Sequence, residues 1–191
     1  MTRRAIERAT WSGRGAAIVV ALLMLLSGTA PADARPIRIV AVGASNTHGW
    51  YFGNEGAYPA RLQALLKAKG IAAEVTNAGV PFDTTAAMLN RIDTDVPKGT
   101  DIVILQPGGN DRRFLGTQEQ RAANIAAMQR RLRERSIKVL VYDEDIPLRY
   151  YTLDLIHLTR DGHNMIAEAL LPRVLATIGH QARATRATPA R

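Results

Sequence analysis

From residue 37 onward the chain alternates two hydrophobic periods. Ile37-Arg-Ile-Val-Ala-Val42 is β-branched and nearly all apolar, the pattern of a strand buried on both faces of a parallel sheet. Residues 58–69 then place Leu62, Leu65 and Leu66 on one helical face, with Gly70 set to end the helix. A weaker strand is expected over 72–77, and Asp83 or Thr84 is placed to cap a short helix reaching about Ile92. Asp101-Ile-Val-Ile-Leu-Gln106 is the clearest strand; it stops at Pro107-Gly-Gly-Asn-Asp111, where only a loop fits. Thr117-Gln-Glu-Gln120 has the form of a capping box, and Ile125, Met128 and Leu132 keep helical spacing through about residue 134. Residues 137–142 predict a fourth strand, and a final helix spans about 160 to 178, with Pro172 expected to kink it. Strands and helices alternate without an internal repeat. The expected architecture is therefore α/β, a parallel sheet of four to five strands between helical layers, joined by right-handed crossovers.

The first 34 residues break this pattern. Arg3, Arg4, Arg8 and Arg14 precede an uninterrupted apolar run of 11 residues, and Ala32-Asp-Ala34 follows as a small-residue cleavage site. That is the layout of a secretory signal peptide. The run falls well short of the ~20 apolar residues that span a bilayer, so no stable membrane span is expected after cleavage. The chain then divides into a signal peptide (1–34), one folded domain (35–178) and a disordered basic tail (179–191), and the protein is expected to be exported to the periplasm or secreted.

Removing the leader changes the charge balance. The whole chain carries 25 Lys and Arg against 17 Asp and Glu, a net of +8, and residues 35–191 carry a net of +6. Much of that excess sits on one helix (Arg130, Arg131, Arg133, Arg135) and in the tail (Arg183, Arg186, Arg191). A solvated helix face and a tail account for it, and no nucleic-acid partner is implied. The chain has no Cys, which excludes disulfides and thiol chemistry. Stability must come from the core, for which a chain of this length suffices.

In open parallel sheets ligands bind beyond the carboxyl ends of the strands. Three loaded stretches fall there: Gly43-Ala-Ser-Asn-Thr47 after the first strand, Asn77 to Asp83 after the second and Gly108-Gly-Asn-Asp111 after the third. Asp154-Leu-Ile-His157 precedes the last helix. A serine, an amide, a histidine and a carboxylate at one sheet edge are the components of acyl transfer. Competing chemistries lack their motifs. Neither G-x-G-x-x-G after a strand nor G-x-x-x-x-G-K-[ST] occurs, H-E-x-x-H and paired histidines at ligand spacing are missing, and the G-x-S-x-G elbow is absent. No metal and no organic cofactor are expected.

The stretch Asn77 to Thr85 with Leu89-Asn-Arg-Ile92, then Gly108-Gly-Asn-Asp111, then Asp154-Leu-Ile-His-Leu-Thr-Arg-Asp161, in that order, resembles the SGNH (GDSL-type) hydrolases. Within them the chain is most similar to the exported arylesterase, acyl-thioesterase and lysophospholipase branch. The resemblance runs from about Ile37 to Ile178 and implies a three-layer, flavodoxin-like fold. It also implies a small-molecule ester or thioester substrate, with Ser45 as nucleophile, His157 as general base and acid and Asp154 as its orienting carboxylate. The implied oxyanion hole is the Asn110 side chain with the backbone N–H of Ser45 and that of Phe82. Candidate substrate-binding positions are His48, Gly79, Gly109 and Tyr150.

Three departures from the family pattern stand out. Ala44 and Asn46 replace the Asp and Leu that flank the serine, and Phe82 replaces a glycine whose N–H serves the oxyanion. The connection from Asp143 to Leu153 is shorter than in relatives, and Tyr150 and Tyr151 stand there either as a replacement wall or as packing under the final helix. Asp83 and Asp111 are expected as loop-fixing acceptors or caps, and Trp50, Tyr51 and Phe52 as packing over the first helix or as substrate contacts. His163 and His180 are expected as satisfied core or surface residues. Two alternatives to an exported esterase stay open on this sequence: a non-catalytic envelope binding protein of the same fold, and a polysaccharide O-deacetylase.

Overall fold

The structure, a computed structural model, describes residues 35–187; the expected signal peptide and the last four residues lie outside the described residues. Four strands form one parallel sheet: β1 (Ile37–Gly43), β2 (Ala73–Gly79), β3 (Ile102–Gln106) and β4 (Lys138–Val141), in the order β2-β1-β3-β4. Between and after them run α1 (Ser45–His48), α2 (Gly53–Gly56), α3 (Tyr58–Ala68), α4 (Thr85–Asp95), α5 (Asn110–Arg113), α6 (Gln118–Glu134) and α7 (Arg160–Ala187).

The central strands are apolar on both faces because each face meets a helical layer. Ile39 and Ala41 of β1 and Ile102 and Ile104 of β3 join Leu62 and Leu66 of α3 and Ile166, Leu170 and Val174 of α7. The alternate residues Val40, Val42, Val103 and Leu105 join Met88 and Ile92 of α4 and Met128 and Leu132 of α6. Fully burying each large side chain is worth about 1.5–3 kcal/mol, so the two layers together hold the sheet between them. Helix starts follow the expected chemistry. The Thr84 hydroxyl accepts from the Ala87 N–H (3.2 Å), and Thr117 and Gln120 form the reciprocal capping box of α6 (3.0 and 3.2 Å).

Two expectations need correction. The last helix does not end near Ile178; α7 continues through Ala187 with Pro172 inside it, so 179–187 is helix rather than disordered tail. Ala182, Ala184 and Ala187 interleaved with arginines are strong helix formers. The second concerns His163, which is fully buried with neither ring nitrogen hydrogen-bonded. Its ring meets Phe52 edge-on at 5.8 Å. Burial and the Arg160 charge hold its pKa down at about 4 against the usual 6.5.

This histidine folds neutral, while the unfolded chain takes up a proton below pH 6.5. The stability it permits is complete above that pH and is lost as pH falls toward 4. Thermal denaturation between pH 7 and 4 is expected to show a Tm falling with pH, and His163→Leu is expected to flatten that slope and raise Tm at pH 5, since it removes two unpartnered nitrogens. An unchanged slope in the variant would contradict this account of His163.

Candidate active site

The site begins with how closely α1 approaches the sheet. Gly43 and Gly79 are register partners at the carboxyl ends of β1 and β2. A Cβ on Gly43 would collide with the Thr47 side chain, and one on Gly79 with the backbone of Thr47 and His48. Only glycines let α1 sit directly on the strand ends. The Thr47 hydroxyl then donates to Gln106 Oε1 at the end of β3 (2.7 Å), and Ser45 is held at the first position of α1, where a backbone N–H has no intrahelical acceptor.

One side chain fastens the surrounding loops. Arg91 Nη2 donates to the Gly43 carbonyl (3.0 Å), Nη1 to the Ala78 carbonyl (2.9 Å) and to Asp95, and Nε pairs with Asp83 Oδ2 (2.6 Å). The ends of β1 and β2 and the loop carrying Phe82 are thus tied to α4. Asp111 is the counterpart beneath β3: buried, it accepts the Thr85 hydroxyl (2.5 Å) and Thr85 N–H (3.1 Å), the loop-fixing role expected of it.

Asp154 and His157 are paired through Oδ2 and Nδ1 at 2.6 Å. Burial pushes the Asp154 carboxyl up, but hydrogen bonds from the His157 N–H and ring, the Ile156 N–H and the Thr152 hydroxyl outweigh it and hold the group well below the usual carboxylate range. An ionised Asp154 accepts the hydrogen bond of Nδ1–H and so leaves Nε2 as the basic nitrogen. The Tyr51 hydroxyl donates to the same Oδ2 (3.0 Å), which raises the phenol pKa and keeps it a donor. Trp50 stacks on the imidazole, with centroids 5.0 Å apart and planes 10° apart, and Tyr51 meets it edge-on at 5.5 Å.

Asn46 joins the two halves. Its Nδ2 donates to the Ile156 carbonyl (3.1 Å) and its Oδ1 accepts from the Leu158 N–H (3.0 Å). The residue after the expected nucleophile therefore grips the backbone on both sides of His157. No hydrogen bond joins Ser45 Oγ to His157 among the described residues; such bonds commonly tighten only with substrate bound.

Ser45 opens onto a cavity of about 230 Å³ whose walls include Asn46, Gly109, Asn110, Arg112 and Arg113. Asn110 Nδ2 donates to the Asp83 carbonyl (2.9 Å) and its Oδ1 accepts from Arg113 Nη1 (3.4 Å), so the amide orientation is fixed and one N–H remains for a ligand. Behind the cavity wall, Arg121 binds the Gly108 carbonyl (3.2 Å) and both oxygens of Asp143.

Among the expected substrate-binding positions, Gly109 lines the cavity, whereas His48, Gly79 and Tyr150 do not. His48 and Gly79 contact each other (Nδ1 to carbonyl, 3.3 Å). The Tyr150 carbonyl accepts from Thr159, and Tyr151 supplies the wall in its place. Phe82 also lies outside the cavity, edge-on to Trp50 at 5.4 Å. Its φ of +67° lies in the left-handed region that glycine adopts freely, so Phe82 takes the backbone shape of the glycine it replaces. The flanking ties at Asp83 hold it there, at roughly 1–2 kcal/mol of strain. Asn46, Arg91 and Arg113 had no role assigned by sequence, and the contacts of Trp50 and Tyr51 with His157 were not among those expected of them. For Arg91 the signal was its place in Leu89-Asn-Arg-Ile92, and the others carry none that spacing alone reveals.

The arrangement is that of a hydrolase acting on an acyl bond. Residues 41–184 match the model of the GDSL-like Lipase/Acylhydrolase family, and the chain belongs to that family of serine hydrolases that cleave carboxylic esters. Solved structures share the fold. The crystal structure of TesA aligns with a TM-score of 0.67 at 20% identity, covering 73% of this chain and 99% of that one. AlinE4, an SGNH-hydrolase family esterase, aligns at 0.56 and 24% identity, covering 83% and 100%. The acetyl xylan esterase AlAXEase aligns at 0.60 and 22% identity, covering 72% and 100%. No curated protein matches the sequence significantly.

If Asn46 seats His157, its loss should act on turnover. Asn46→Leu, which carries the family residue, is expected to lower kcat by about 10- to 100-fold with a smaller change in KM, and to lower stability by about 1–3 kcal/mol by orphaning two backbone groups. Steady-state kinetics and denaturant titration check both; full activity would show that the grip is dispensable.

Proposed function

We propose that the protein is an exported serine esterase acting through an acyl-enzyme on Ser45. The observation that carries this is the Asp154–His157 pair, bound through Asn46 to the segment whose Ser45 faces the cavity beside Asn110. Ser45 Oγ attacks the ester carbonyl carbon while His157 Nε2 takes the hydroxyl proton. The oxyanion is met by the free Asn110 N–H and the Ser45 backbone N–H, with that of Phe82 as the third donor. Such donors are worth about 10²–10³ each in rate. Collapse breaks the ester C–O bond, and the alkoxide leaves with the proton from His157. Water then attacks the acyl carbon, His157 takes its proton, and the acid departs as Ser45 regains its hydrogen.

A cavity of about 230 Å³ with arginine, asparagine and aspartate in its walls suits a short or polar group better than a long alkyl chain. This favours small acyl esters, and the deacetylase reading gains from it, since one structural neighbour is an acetyl xylan esterase. Thioesters enter by the same chemistry. The non-catalytic reading rests on the missing Ser45–His157 hydrogen bond and on Phe82, and it excludes covalent labelling.

Hydrolysis of 4-nitrophenyl acetate is expected from the wild-type protein, with a loss of at least about 10³-fold in Ser45→Ala and His157→Ala and fluorophosphonate labelling confined to Ser45. Equal rates in all three proteins, or no labelling, would overturn the esterase. Export is expected to leave Arg35 as the first residue, which intact-mass measurement of protein from an exporting host reads directly; a mass retaining residues 1–34 would refute it.

A further inference from the structure

The charge of the cavity is unbalanced. Arg112 and Arg113, the last two residues of α5, line it beside Asn110, and Asp143 and Glu144 line it from the far side. Both acids are already matched. Asp143 is held by two nitrogens of Arg121, and Glu144 accepts from Arg173 Nη1 at 3.1 Å. Asp111, the acid next to the two arginines in sequence, is buried and turned to Thr85. Arg112 and Arg113 form no ion pair among the described residues; the one side-chain partner of Arg113 is the neutral oxygen of Asn110. Ala44 lines the same cavity and brings no carboxylate where the family pattern carries Asp. Two exposed arginines therefore line the cavity that Ser45 also lines, with no ion-pair partner among the described residues.

From this we infer that Arg112 and Arg113 recognise an anionic group on the substrate, a carboxylate or a phosphate, so that the enzyme selects negatively charged esters over neutral ones. The inference rests on the esterase reading above and specifies its substrate class. The guanidinium fork matches carboxylate and phosphate oxygens in pairs and stays charged at every working pH. The cavity is large enough for a small acidic group beside the ester and too polar for an unbranched lipid tail. Arg113 also links recognition to chemistry, because its Nη1 holds the Asn110 amide whose N–H meets the oxyanion.

Matched ester pairs test it on the full mature protein. Mono-4-nitrophenyl adipate against 4-nitrophenyl hexanoate places the charge on the acyl side; 3-acetoxy-4-nitrobenzoate against 2-nitrophenyl acetate places it on the leaving group. In at least one pair the anionic member should have kcat/KM about tenfold higher, mostly through KM, and the favoured pair identifies which side carries the charge. That ratio should fall toward one in Arg112→Gln and Arg113→Gln, and in 1 M salt. Ratios near or below one in both pairs, or a ratio the variants leave unchanged, overturn the inference.

Failure of all four esters to react would instead overturn the esterase reading. The arginine site is then judged by calorimetry of Ser45→Ala with 3-hydroxy-4-nitrobenzoate. Binding weakened about tenfold by Arg112→Gln supports the site, and no binding, or binding the variant does not weaken, refutes it.

Discussion

Everything at the reactive edge depends on the contact between α1 and the ends of two strands. Because Gly43 and Gly79 are neighbours in register, the backbone of α1 rests on the sheet with no side chain between them. That contact fixes the height of Ser45, Asn46 and Thr47 over the sheet, and each then extends the constraint in a different direction. Ser45 faces the cavity, Asn46 reaches the loop of His157, and Thr47 ties down to Gln106. A residue larger than glycine at either position would have to lift α1, and ångström displacements are what acyl transfer tolerates least.

The electrostatic design separates the proton-handling pair from the cavity. Asp154 is saturated with donors, which keeps it an acceptor and fixes the imidazole tautomer, while Trp50 and Tyr51 crowd the ring from two sides. The cavity, by contrast, keeps its acids engaged with arginines behind its walls and has two unpaired arginines, Arg112 and Arg113, in its lining. Arg91 collects two carbonyls and two carboxylates, and Arg121, behind the cavity wall, one carbonyl and one carboxylate. Arginine is suited to this because one planar fork meets several acceptors at once.

Much of the fold was legible because it rests on local patterns. Mostly β-branched, apolar runs marked β1 and β3, and Thr84 and Thr117 announced their helices through capping chemistry. Element ends were less legible: α7 outran its expected limit because propensity, not a turn residue, governs its last turns. At the site, Ser45, Asn110, Asp154 and His157 were readable as ordered motifs. Asn46 was noted only as a departure, since its two bonds span more than 100 positions in sequence. His48 and Gly79 were drawn into the substrate site by proximity to Ser45 in the chain or the loop. In space they serve the seating of α1. The aromatic residues after α1 had two plausible destinations, and only the tertiary packing chose His157 for Trp50 and Tyr51.

Position 82 bears on how such a site can change over generations. An aromatic residue kept at a φ of +67° occupies a conformation that glycine would adopt without strain, so its presence sets backbone cost against side-chain contact with Trp50. The loop holds that geometry through Asp83, whose partners Arg91 and Asn110 come from other elements. The backbone shape is therefore held by the neighbours as well as by residue 82 itself. A lineage can alter the rim beside the histidine by changing this one residue, while the direction of the peptide N–H stays partly under the control of residues that did not mutate.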